Sequence, residues 1–79
     1  MKTVTICLNS IDKVKAFVND ITKFESEFDL VSGRYIIDAK SIMGIFSLDL
    51  SKNIDLTIHT AENSEEIDAI LETLKPYIV

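Results

Sequence analysis

The chain has no tryptophan, one cysteine, one proline, two glycines and one histidine among its 79 residues. Each scarcity excludes something. A lone Cys7 cannot close an internal disulfide. So little glycine and proline leaves short turns between elements, and there is no repeat, low-complexity tract or linker. No apolar run approaches the ~20 residues that span a bilayer. The start, Met1-Lys2-Thr3-Val4-Thr5-Ile6, is too short and alternating for a signal peptide, so a cytoplasmic location is expected. Basic residues are also few, 8 against 13 acidic, for a net charge of −5. They are scattered, with Lys13, Lys15 and Lys23 the nearest thing to a cluster, which argues against nucleic-acid binding. What remains is globular: 47% hydrophobic and 27% charged, one domain over residues 1–79 with a modest core.

Hydrophobic period assigns the elements. Thr3 to Leu8 alternates, with Val4, Ile6 and Leu8 on one face, and predicts a half-buried strand. Ser10 stands at an N-cap position with Asp12 in the first turn, and Ile11, Val14, Phe17, Val18 and Ile21 follow at helical spacing to about Lys23. Phe28 and Leu30 mark a second strand. Ser32-Gly33 turns into a third, Arg34 to Asp38. Ser41 caps a short helix, about Ile42 to Leu48. Ile54, Leu56 and Ile58 alternate with Asp55, Thr57 and His59 in a fourth strand. Asn63 with Glu66 resembles a capping box before a last helix marked by Ile67, Ile70, Leu71 and Leu74, which Pro76 ends. The order is βαββαβα. It predicts an α+β open-faced sandwich: four antiparallel strands, one face polar and the other covered by three helices. A ferredoxin-like fold shares the order without the final helix.

The middle helix has too much apolar surface for its length. At ~100° per residue, Ile42, Met43 and Phe46 share one arc and Ile45 and Leu48 another. If one arc packs on the sheet, the other is exposed, and exposed apolar patches mark binding sites. The plain alternatives are that Met43 and Phe46 are core and that Ser41 is only a cap, worth ~1 kcal/mol.

The segment Lys40-Ser41-Ile42-Met43-Gly44-Ile45-x-Ser47-Leu48 resembles the regulatory-serine segment of HPr, the phosphocarrier of the bacterial sugar phosphotransferase system. Lys23-Phe24-Glu25-Ser26-Glu27-Phe28-Asp29-Leu30 is similar, without gaps, to the family's helix end and second strand. The resemblance implies the βαββαβα fold. It implies a dedicated kinase acting on Ser41, and a docking patch at Ile42, Met43 and Phe46 for phosphotransferase enzymes, that kinase and transcription regulators. A phosphate there meets free helix N–H groups and adds nearly two negative charges. No cofactor or metal is implied.

The family's carrier site is a Gly-x-His-Ala-Arg-Pro-like segment at the first helix start, whose histidine accepts phosphoryl on an imidazole nitrogen. Counting back without gaps from Ser41 puts Ser10 at the histidine position, Asp12 at the arginine position and Lys13 at the proline position. A serine phosphoester is a much poorer donor than phosphohistidine, and Asp12 reverses the charge. Ser10 and Asp12 read instead as helix capping. Asp12 also stands where the family's arginine helps regulators dock, which counts against the usual transcription regulator as partner.

Elsewhere, His59 reads as an exposed strand histidine and Cys7 as an unreactive strand cysteine. Together they supply two metal ligands, too few for a site. Glu65, Glu66 and Asp68 suit the dipole at the last helix start. No phosphate-cradling loop or nucleophile–base motif is present. The expectation is a non-enzymatic regulatory member of the family in carbon-catabolite control, with no catalytic residue. The alternatives are a phosphocarrier using Ser10 or His59, and an unphosphorylated interaction domain on the same scaffold.

Overall fold

The computed structural model describes residues 2–60 and 65–79. Seven elements follow in the expected order: β1 (Lys2–Ile6), α1 (Ile11–Ile21), β2 (Glu27–Ser32), β3 (Tyr35–Asp38), α2 (Ile42–Phe46), β4 (Ile54–His59) and α3 (Glu65–Leu74). The four strands form one antiparallel sheet in the order β1-β4-β2-β3. α3 completes the seven-element order, which the ferredoxin-like alternative lacks.

The strand period decides which face is buried. Ile54, Leu56 and Ile58 of β4 are buried, and Phe28 and Leu30 of β2 lie beside Ile58 and Leu56 in register. Against them pack Val14, Phe17 and Ile21 of α1, Ile45 of α2, and Ile70 and Leu74 of α3. Each fully buried side chain of this size stabilises by about 1.5–3 kcal/mol. No charged or polar residue is buried among the described residues. The opposite face of the sheet presents Thr5, Glu27, Asp29, Asp55, Thr57 and His59, all at least partly exposed.

Several boundaries and placements differ from the sequence reading: β1 starts at Lys2 rather than Thr3, and α1 ends at Ile21 rather than about Lys23. β1 stops at Ile6, not Leu8: the Cys7 N–H leaves the sheet to donate to Tyr77 O (2.8 Å), while Leu8 stays buried outside any strand. α2 ends at Phe46, not Leu48, because the chain tightens into i→i+3 bonds from Ser47 N–H to Gly44 O and from Leu48 N–H to Ile45 O. β3 starts at Tyr35, leaving Gly33 (φ 60°) and Arg34 as a two-residue turn. Ile11, read as part of the packing stripe of α1, is 61% exposed, since the first helical residue projects past the core. Asn63 lies outside the described residues. Its expected partner Glu66 accepts from Ser26 N–H (3.1 Å) and Ser26 Oγ–H (2.6 Å), tying α3 to the loop before β2.

The tail after α3 has structure that the period did not announce. Tyr77 is buried, edge-on to Phe17 with ring centroids 5.6 Å apart. Its hydroxyl donates to Asp20 Oδ2 (2.9 Å). Ile78 then bridges Ile6, and Val79 N–H donates to Thr5 O (3.0 Å), so the tail covers the end of the outer edge of β1.

Candidate functional site

The two helix starts that the sequence singled out are built differently. At α1, Ser10 is extended (φ −149°, ψ 156°) and its Oγ accepts from Lys13 N–H at 3.1 Å. Asp12 sits in the first turn, where negative charge suits the helix dipole. Ser10 therefore caps α1, and no imidazole or guanidinium stands at this helix start.

At α2, Ser41 takes the N-cap place with extended backbone (φ −93°, ψ 95°), but its side chain makes no capping hydrogen bond. This corrects the reading of Ser41 as an ordinary cap. The turn is held by backbone instead: Ser41 N–H donates to Asp38 O (2.9 Å) and Ile45 N–H to Ser41 O (3.1 Å). The hydroxyl is left exposed and uncommitted. Gly44 makes this geometry possible. A Cβ on it would lie 2.7 Å from Ile37 Cγ2 and 3.3 Å from Ser41 Oγ, so the glycine seats α2 tightly on β3. Lys40, next in sequence to Ser41, does not serve it: its ammonium donates to Phe24 O (2.8 Å) and sits 5.6 Å from the Phe28 ring centroid.

The apolar residues of α2 divide as the two arcs required. Ile45 is fully buried and Leu48 packs on the core. Met43 is 77% exposed and Phe46 38%, so neither is core. Ile42 is shared, half-buried and packed against the core cluster. An exposed hydroxyl thus stands two residues from an exposed thioether and five from a part-exposed ring. At five residues, α2 has little dipole, so exposure more than helix polarity distinguishes this serine.

Other sequence candidates lie apart from this surface. His59 is on the open face of the sheet, opposite to the helices, with Nε2 2.7 Å from Asp29 Oδ2. That partner was missed because Asp29 is 30 residues away on β2. Glu27 is directly across from His59, and Asp38 across from Asp29, in the strand register. Cys7 is partly buried. No group of three His, Cys, Asp or Glu able to hold a metal occurs among the described residues, and no described helix is long and apolar enough to cross a membrane. Glu66 holds its proton less tightly than an ordinary glutamate because the Ser26 hydroxyl, then the Ser26 N–H, donate to it.

Comparison with known proteins places this geometry. Residues 13–78 match the family model described as "PTS HPr component phosphorylation site". The match begins after Ser10 and Asp12 and includes Ser41 and all of α2. The chain is also similar to the crystal structure of HPr-C-His from Thermoanaerobacter tengcongensis, with 30% identity and a TM-score of 0.71 over 91% of this chain and 89% of that one. HPr proteins are phosphocarriers rather than enzymes, and they work through other proteins of the phosphotransferase system. The chain belongs to the HPr family.

Proposed function

We propose that this protein is a non-catalytic regulatory module of the sugar phosphotransferase system, phosphorylated on Ser41 by a serine kinase of the HPr type. It acts in the cytoplasm in carbon-catabolite control, and its partners read the phosphate together with Ile42, Met43 and Phe46. The observation that carries this reading is the Ser41 hydroxyl, exposed and free of any capping bond beside Met43 and Phe46. Phosphorylation adds about 1.5–2 negative charges to a chain already at −5. Those charges repel acidic partners and give Arg- or Lys-bearing partners three strong acceptors beside an apolar anchor.

Three observations disfavour phosphate relay. Ser10 spends its hydroxyl on Lys13 N–H, and Asp12 adds negative charge where a phosphoryl group would arrive. His59 is engaged by Asp29 and lies across from Glu27, which repel an incoming phosphoryl anion.

The test is incubation with an HPr-type serine kinase and labelled ATP. Label on Ser41, abolished in Ser41→Ala, supports the proposal. No labelling supports an unphosphorylated interaction domain. Transfer from phosphoenolpyruvate onto Ser10 or His59 would restore the carrier reading. Loss of partner binding in Phe46→Ala, with folding retained, identifies the patch.

A further inference from the structure

The two edges of the sheet are finished differently. The outer edge of β1 is met by the tail at its end, through the Ile6–Ile78 bridge and the Val79 N–H bond to Thr5 O. The outer edge of β3 pairs with nothing among the described residues. Exposed sheet edges are usually protected by a central charge, a proline or a bulge. β3 reads Tyr35-Ile36-Ile37-Asp38 and has none of these at its middle. Tyr35 is 69% and Ile36 70% exposed, and the site at α2 accounts for neither.

Hydrogen-bond phase shows what this edge offers. A two-residue turn makes Ser32 and Tyr35 the pair that exchanges both backbone bonds. The next pair, Val31 and Ile36, then does not, nor does Asp29 with Asp38. The Ala39 N–H bond to Phe28 O (2.9 Å) confirms that phase. Ile36 therefore turns both its N–H and C=O outward, and Asp38 its N–H. Within this chain the Asp38 C=O already accepts from Ser41 N–H.

We propose that β3 pairs antiparallel with β3 of a second copy about a two-fold axis at Ile36. The argument is self-complementarity. In this register Ile36 faces Ile36 of the other copy, Tyr35 faces Ile37, and Arg34 faces Asp38 at both ends. Arg34 pairs with no carboxylate among the described residues. The Asp38 carboxylate uses Oδ1 on Lys40 N–H and keeps Oδ2 for a partner. Cross-strand opposite charges and facing aliphatics are the pairs that stabilise antiparallel strands, and moving the register by two residues in either direction loses both Arg34–Asp38 pairs. Ile36 exchanges two bonds with its counterpart, and each Asp38 N–H donates to the Arg34 C=O across the axis. The two four-stranded sheets become one of eight strands whose outer edges are both β1, each met by its tail at Thr5 and Ile6. The symmetry mate uses the β3 edge of each copy, so the association is isologous.

Sedimentation velocity over a concentration series, with the full chain, tests this. The expected result is a monomer–dimer equilibrium that Ile36→Lys shifts fully to monomer. The double exchange Arg34→Asp with Asp38→Arg restores dimer lost in Arg34→Asp alone. In a Cys7→Ser background, Ile36→Cys forms a symmetric disulfide under mild oxidation, since directly opposed bonded residues sit about 5.5 Å apart between Cα atoms. Phe46→Ala leaves the dimer intact. A wild-type monomer at every concentration overturns the proposal. So does a dimer that survives Ile36→Lys or is lost in Phe46→Ala. If Ile36→Lys alters folding, the charge exchange and the disulfide decide.

Discussion

Ser10 and Ser41 precede two helices, and only Ser10 uses its hydroxyl to cap one. The difference sets two expected outcomes. Ser10→Ala removes the bond to Lys13 N–H and lowers stability by about 1 kcal/mol, read in urea unfolding. Ser41→Ala removes no capping bond, so the same measurement gives a loss within about 0.5 kcal/mol, the range of ordinary surface substitutions. A loss near 1 kcal/mol for Ser41→Ala would return this serine to a structural role. Sequence placed both residues at the right position, because N-cap chemistry is local. It assigned Ser41 the wrong hydrogen bonding, because what that hydroxyl meets depends on Gly44 and on how α2 sits over Ile37. The pairing of His59 with Asp29 was hidden for the same reason, since register between β2 and β4 brings them together.

Among the elements, α2 depends most on one contact. Gly44→Ala gains about 1 kcal/mol of helix propensity. The new Cβ also meets Ile37 Cγ2 at 2.7 Å, and a β-branched side chain yields little. Overpacking of this kind costs about 1–3 kcal/mol. The expected net result is a lower Tm, with altered Ser41 labelling by the kinase because α2 must tilt or shift. α3 is anchored by charge instead. The Ser26 hydroxyl and N–H hold the Glu66 carboxyl below its ordinary value of 4.5. A depressed folded pKa gives stability that is present above 4.5 and lost as pH falls through the folded value. Ser26→Ala should therefore lower Tm at pH 7, and the gap from wild type should shrink towards pH 3. A gap independent of pH would mean that Ser26 acts through packing. Period and caps made these elements legible to within a few residues. The end of α2 was misplaced because its i→i+3 closure keeps Leu48 on the core without extending the helix.

Across the whole molecule, the tail joins α1, β1 and the end of α3. Burial, then the hydrogen bond to Asp20 and its charge, push the Tyr77 phenol from 10.0 up to about 12. A raised folded pKa means that the native state keeps its proton while the unfolded chain ionises, so this stability is present below pH 10 and lost as pH climbs towards 12. Tyr77→Phe should flatten that part of the stability–pH curve relative to wild type, measured by chemical unfolding at fixed pH steps. An unchanged slope would remove the phenol from the account. By itself, the sequence determined the order of elements, the buried faces of β1 and β4, the apolar stripes of α1 and α3, and the absence of histidine and arginine at the start of α1. Those follow from period and residue chemistry, which act over a few neighbours. Only the tertiary structure decided that Ser41 is unspent, that the tail meets the end of one sheet edge, and that the outer edge of β3 pairs with nothing among the described residues. Each depends on contacts between segments far apart in the chain, which local pattern does not encode.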